Sequence, residues 1–238
     1  FGDPPPLFVL TGGDPMRRPD LVDLVRYASD VGLSVALTPS GTAAVTRGRL
    51  AELRDAGLKR VAVSLDGPDR DTHDAFRRVR GSYGWTIKIV EAVTDLGMSL
   101  QINTTIGRLT YPYLEAMAKR VQELPIALWA VFFLIATGRG TSLDQIDADE
   151  CERVLHFLHD LAPTVPFGIK TTEAPQYHRV ALQRARFELP AVMMAAPPRR
   201  HPRAPRAVTD GNGFVFIDHL GQICPSGFLP MTCGSVRT

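Results

Sequence analysis

The sequence predicts an α/β fold in which parallel strands alternate with helices and curve into a partial barrel, followed by a small hairpin. Three observations carry this. Short apolar runs alternate with segments of helical period from Leu7 to Phe187, the pattern of consecutive βα units in a parallel sheet. The runs are apolar at nearly every residue, as in strands covered on both faces. A glycine stands between helix and strand in Asp55-Ala56-Gly57-Leu58 and Asp95-Leu96-Gly97-Met98, where a helix stop is needed.

Taken in order, Leu7–Thr11 is the first strand. Pro19–Val31 then carries Leu21, Leu24, Val25 and Ala28 at helical spacing. Leu33–Leu37 is the second strand, with a helix near Thr46–Ala56 behind it. Arg60–Leu65 is the third, followed by helices near Asp71–Arg77 and Trp85–Leu96. Ser99–Thr105 alternates and forms the fourth, backed by the helix Pro112–Leu124. Leu128–Ile135 lies in the longest apolar run and forms the fifth, backed by Asp147–Leu161. Phe167–Thr171 is a weaker sixth strand, and Pro175–Phe187 is its helix. This is a partial TIM-like barrel of the (β/α)6 type, with a doubly wound sheet as the alternative. The regularity stops near Leu189. The barrel is expected to span 1–190, a Pro/Arg-rich linker 191–212, and a C-terminal extension 213–238. In the extension, Phe214–Ile217 and Gln222–Cys224 form a hairpin turning at Asp218-His219-Leu220-Gly221.

The bulk composition narrows the function. The chain has 238 residues, 45% apolar and 22% charged, in the range of soluble globular proteins. A net charge of +2 gives nucleic-acid binding no support. The apolar run Ile126–Ala136 falls short of the roughly 20 residues of a membrane span, so no membrane association is expected. Cys151, Cys224 and Cys233 are too few for a disulfide scaffold and suit the reducing cytoplasm. The chain starts at Phe1 without an initiator Met and is expected to be a piece of something longer.

Small and polar residues collect after the strands, where a parallel barrel gathers its chemistry. Thr11-Gly12-Gly13-Asp14-Pro15 follows the first strand and Thr38-Pro39-Ser40-Gly41-Thr42 the second. Ser64-Leu65-Asp66-Gly67-Pro68 follows the third, with His73 and Arg77 beyond it. Asn103-Thr104-Thr105 follows the fourth, and Thr137-Gly138-Arg139-Gly140 the fifth. Glycines at 12 and 13 let a ligand approach the main chain. Pro15 holds the turn, and Asp14 accepts hydrogen bonds from an ammonium. Ser64 and Arg77 offer a hydroxyl and a planar fork to a carboxylate. Arg139, between glycines, suits an anionic substrate. Each also has an ordinary use: Asp14 as a helix cap, Ser64 in a turn, Arg77 on a solvated helix face, and His73 as a capping or surface histidine.

Together and in this order these residues resemble the radical S-adenosylmethionine (SAM) enzymes of the SPASM type. TGGDP (11–15) resembles the GGEP motif that holds the methionine ammonium, with Asp14 where Glu is usual. SLDGPDRDTHDAFRRVRGSYG (64–84) resembles the block whose Ser and Arg contact the SAM carboxylate, roles that pass to Ser64 and Arg77. INTT (102–105) resembles the segment near ribose and substrate. LWAVFFLIATGRG (128–140), IKTTEAPQYHRV (169–180) and ICPSGFLPMTCGSVR (223–237) resemble a narrower branch. That branch is akin to enzymes of heme d1 and alternative heme synthesis and, more loosely, to peptide-modifying maturases.

The resemblance implies cofactor binding by Gly12, Gly13, Asp14, Pro15, Ser40, Ser64, Asp66, Arg77, Asn103 and Thr105. It implies substrate binding by Arg139 and no acid or base among them. The implied cofactors are SAM and a [4Fe-4S] cluster. The implied partners are an electron donor such as flavodoxin or ferredoxin and a small-molecule or peptide substrate, a tetrapyrrole among the candidates. The family's CxxxCxxC loop is absent from the chain and is expected upstream of Phe1. Cys224 and Cys233 are candidate ligands of an auxiliary cluster, and also read as an ordinary buried pair. The alternatives are a cluster-free barrel that binds a ligand or partner, and a conventional barrel enzyme using Asp66 and His73 for acid–base or metal chemistry.

Overall fold

In the computed structural model, residues 5–136, 144–188 and 213–237 are described. Six parallel strands form one sheet in chain order: β1 (Leu7–Leu10), β2 (Ser34–Leu37), β3 (Leu58–Ser64), β4 (Ser99–Ile106), β5 (Leu128–Phe133) and β6 (Gly168–Thr172). The connecting helices are α1 (Leu21–Asp30), α2 (Arg47–Asp55), α3 (Arg70–Arg77), α4 (Ser82–Asp95), α5 (Leu114–Gln122) and α6 (Ala148–Leu161), and α7 (Gln176–Glu188) follows β6. A doubly wound sheet reverses its strand order at a switch point, whereas a barrel keeps chain order. The observed order is the barrel's, so the sheet is a curled partial barrel.

The two faces of the sheet differ. Val35, Leu37, Val61, Val63, Leu100, Ile102, Trp129 and Val131 join helix residues such as Val25, Leu50, Val93, Val121 and Leu158 in one buried cluster. Each such side chain contributes roughly 1.5–3 kcal/mol when fully buried. Ala36, Ala62 and Ala130, on the opposite side of the same strands, are buried but stand outside that cluster. The helices therefore pack against one face, and the other is the inner face of the barrel.

Local chemistry sets the element boundaries. Thr46 and Asp69 cap α2 and α3, and Asp147 with Glu150 forms a capping box on α6. The helix expected at Trp85 starts at Ser82 instead. Asp74 accepts hydrogen bonds from Gly81 N–H, Ser82 Oγ–H and Tyr83 N–H, so a carboxylate on α3 caps α4 from outside. Pro112 is the second residue of a short 3-10 turn, Tyr111–Tyr113, which delays α5 to Leu114.

The expected C-terminal hairpin is present as β7 (Phe216–Ile217) and β8 (Gln222–Cys224), with Asp218 accepting from Leu220 N–H and Gln222 N–H in the turn. A third strand, β9 (Gly234–Ser235), pairs antiparallel with β8. Two residues carry no alternation, so the sequence gives no sign of it. Segment 191–212 and Arg139 lie outside the described residues. Among the described residues no helix is long and apolar enough to cross a membrane.

Candidate functional site at the carboxyl rim

The register across the sheet places the site. Ser64 is level with Asn103, Asn103 with Ala130, and Ala130 with Lys170. One rung higher, Thr105 is level with Phe132 and Phe132 with Thr172. Neighbours in a parallel register point to the same face, so Ser64, Asn103 and Lys170 share the inner face of the barrel. In β4 the alternation is strict: Gln101, Asn103 and Thr105 are half-exposed, while Leu100, Ile102, Thr104 and Ile106 are buried. Gln101 Nε2–H donates to Asn103 Oδ1 at 2.7 Å.

Two carboxylates tie adjacent rim loops together. Asp14 caps the 3-10 turn Pro15–Arg17, its Oδ1 accepting from Met16 N–H at 3.2 Å and from Ser40 N–H at 3.4 Å. Ser40 Oγ–H donates back to the Gly13 carbonyl at 3.3 Å. The loops after β1 and β2 are thereby joined. Gly12 and Gly13 have φ of +82° and +46°, and a Cβ at either would meet nothing within 4 Å. Their backbone is held in a left-handed bend beside open space, as a ligand-approach loop requires.

Asp66 performs the same service for β3 and β4. Its carboxylate is fully buried; Oδ1 accepts from Thr105 N–H at 2.7 Å, and Oδ2 from Arg77 Nε–H at 2.6 Å. Arg77 is 35% exposed, and its terminal nitrogens have no partner among the described residues. The structure thus places Asp66 beneath the rim, with Arg77 at its edge. Thr104, named in the rim segment but given no role of its own there, donates from Oγ to the Leu65 carbonyl at 2.8 Å and accepts from Trp129 Nε1–H at 2.9 Å.

His73 corrects an expectation. A capping or surface position was anticipated, yet the residue is only 1% exposed. Its Nδ1 accepts from Asp66 N–H at 3.0 Å, and its ring meets Tyr83 edge-on at 5.8 Å. Burial lowers its pKa, with Arg77 adding to that effect and Asp66 and Asp74 opposing it. A neutral imidazole enclosed in this way is a structural support. The acid–base alternative built on Asp66 and His73 therefore loses both of its groups to the interior.

Cys151 lies apart from the other two cysteines, while the β8–β9 register, Gln222 with Ser235 and Ile223 with Gly234, brings Cys224 and Cys233 opposite one another at its next step. Cys151 lies in α6, where burial and then Asp147, Glu150 and Glu152 push its thiol pKa up. Cys224 is buried in β8, and Cys233 is exposed next to β9, its N–H donating to the Ile223 carbonyl at 2.8 Å. Among the described residues no three His, Cys, Asp or Glu side chains are grouped to hold a metal. A hollow of about 480 Å³ between α3 and α4, lined by Arg70, Asp74, Arg78 and Arg80 among others, includes none of the rim residues.

Residues 4–121 match the family described as the Radical SAM superfamily. The chain is 39% identical over 234 residues to an AdoMet-dependent heme synthase of Oleidesulfovibrio alaskensis, covering 98% of this chain and 60% of that protein. It is 37% identical to a PqqA peptide cyclase of Bradyrhizobium diazoefficiens, over only 41% of this chain and 26% of that protein. The crystal structure of SuiB from Streptococcus suis shares the fold with a TM-score of 0.68 at 15% identity, over 96% of this chain and 52% of that one. The chain spans 60% to 66% of the length of the heme synthases it matches.

Proposed function

The chain belongs to the radical SAM superfamily, and from that premise we propose that its barrel binds SAM and a carboxylated tetrapyrrole. The whole protein would cleave SAM reductively to abstract hydrogen from that tetrapyrrole. The observation that carries the reading is the pair of carboxylate ties, Asp14 to Ser40 and Asp66 to Arg77 and Thr105, which assemble the rim of four consecutive strands. The heme-synthase likeness over nearly the whole chain supports the tetrapyrrole. A peptide-modifying role has weaker support, since the peptide-cyclase likeness covers less than half of the chain.

The residues present fit the amino-acid end of SAM. Main-chain carbonyls of the Gly12–Gly13 loop accept from its ammonium. Arg77, anchored through Nε, offers its terminal nitrogens to the carboxylate, and Ser64 adds a hydroxyl. Asn103 and Thr105, on the inner face, serve the ribose. Asp66 acts through Arg77 as a positioning residue, and Asp14 acts likewise through Ser40 and the Pro15 turn. These residues do not fit an iron–sulfur cluster, which is held by several thiolates: Cys224 and Cys233 alone fall short of such a set. When bound, SAM supplies the 5′-deoxyadenosyl group that takes a hydrogen atom from the substrate. The chain's own contribution is to fix SAM and substrate in one orientation, which converts an encounter into a positioned reaction.

The test uses the full-length protein, reconstituted anaerobically with iron and sulfide. It should release 5′-deoxyadenosine from SAM, and more of it when Fe-coproporphyrin III is added. Arg77→Ala should weaken SAM binding by about tenfold or more, as loss of a charge-assisted contact does. His73→Ala should weaken it far less. No release by iron-replete protein would overturn the reading. Stimulation by a precursor peptide but not by the porphyrin would replace the tetrapyrrole with a peptide.

A further inference from the structure

SAM held by the rim of β1 to β4 leaves the inner face of β5 and β6 for the substrate. That face is unusual in what it offers. Lys170 stands at the centre of β6, level with Ala130 and, across it, with Asn103 and Ser64. Ala130, its neighbour on β5, is short and buried at 1% exposure. Among the described residues no carboxylate comes within the 4.0 Å of an ion pair with its Nζ. Thr172, two residues on and on the same face, has an enclosed Oγ1 without a hydrogen-bond partner. Successive inward residues on a strand stand about 6–7 Å apart, within the span of one lysine side chain.

We infer that Lys170 is a specificity residue of this barrel: its ammonium binds a carboxylate of the substrate on the inner face of β6, and Thr172 Oγ–H supplies a second donor. The inference rests on the proposed tetrapyrrole reading and deepens it, because it names the group that selects a carboxylated ligand. The alternative for such a lysine is a stem packed for its methylenes with the ammonium in water. Its setting argues against that. The side chain is half-buried, and burial lowers its pKa, only partly offset by Glu173 in the following turn. A cation partly withdrawn from water without an ion pair carries part of that desolvation cost in the fold alone. A carboxylate ligand would meet that cost and gain a charge-assisted hydrogen bond.

The experiment uses the full-length holoenzyme and variants Lys170→Met and Lys170→Arg, titrated with coproporphyrin III and with its methyl ester by porphyrin absorbance. SAM affinity is measured in parallel as a check on the folded rim. Lys170→Met should bind coproporphyrin III about tenfold more weakly, with SAM affinity unchanged. Lys170→Arg should retain most of the affinity. The ester should bind the wild type weakly and be indifferent to the substitution. Equal coproporphyrin affinity in wild type and Lys170→Met would overturn the role of the lysine while leaving the tetrapyrrole reading intact. Failure of the wild type to bind either porphyrin would overturn both. A lysine that merely packs would lose SAM affinity and ester affinity together with the acid, which is the outcome that assigns it to structure.

Discussion

Gly67 is the residue where the rim has least room. A Cβ there would stand 2.5 Å from His73 N and 2.8 Å from Thr72 Cβ, inside the first turn of α3. Gly67→Ala should therefore push α3 outward, and with it Arg77. Overpacking of this kind costs about 1–3 kcal/mol, which in a chain of this size lowers Tm by about 2–4 °C per kcal/mol. Calorimetry with a SAM titration checks it: both stability and SAM affinity should fall. Gly12→Ala, whose Cβ meets nothing, should lose stability only through its left-handed φ. Equal Tm for Gly67→Ala and wild type would show that α3 yields without cost. At this scale the sequence was informative about which residues stand at the rim and silent about how they meet. The SLDG motif is visible, yet the pairing of Asp66 with Arg77, eleven residues apart, depends on where α3 begins. Asp14 and Ser40, 26 residues apart, meet only through the β1–β2 register. A carboxylate read as a ligand contact and one that supports a neighbour look alike until the chain is folded.

Among the elements, strands with strict alternation or continuous apolar runs were legible, and β4 lies where its pattern puts it. The start of α4 was not, because its cap comes from α3 through space and not from its own flank. β6 reads weakly as a strand, and its inner face follows only from its register with β5. The α3 unit also carries a pH response. Burial holds the His73 pKa below its ordinary 6.5; Arg77 lowers it further, and Asp66 and Asp74 raise it. The unfolded chain takes up a proton near pH 6.5 that folded His73 resists. The stability from its neutral form is thus complete above that pH, and is lost as pH falls toward the folded value. Thermal melts of wild type should drop more steeply between about pH 7 and pH 5 than those of His73→Gln, whose amide can accept from Asp66 N–H without titrating. Parallel curves would assign the acid sensitivity to another group.

For the whole molecule, chain-order strands follow directly from the repeating strand–helix rhythm, since each crossover helix packs on the same side and each new strand adds to the same edge. What rhythm alone does not give is the state of the two outer strands. Among the described residues β1 pairs only with β2, and β6 only with β5. Leu7 and Val9 of β1 are 50% and 41% exposed, while Phe8 and Leu10 pack against the core. An unpaired strand with apolar residues beside its free N–H and C=O groups is a template for pairing with another copy. The 238-residue chain expressed alone should therefore self-associate through β1 at micromolar concentration. Val9→Lys should suppress this, because a charge on an edge strand disfavours edge-to-edge pairing while the core-facing Phe8 and Leu10 stay in place. Light scattering and size exclusion across a dilution series distinguish the outcomes. Association that weakens in Val9→Lys at unchanged Tm locates it at the β1 edge; association indifferent to the lysine moves it to another surface.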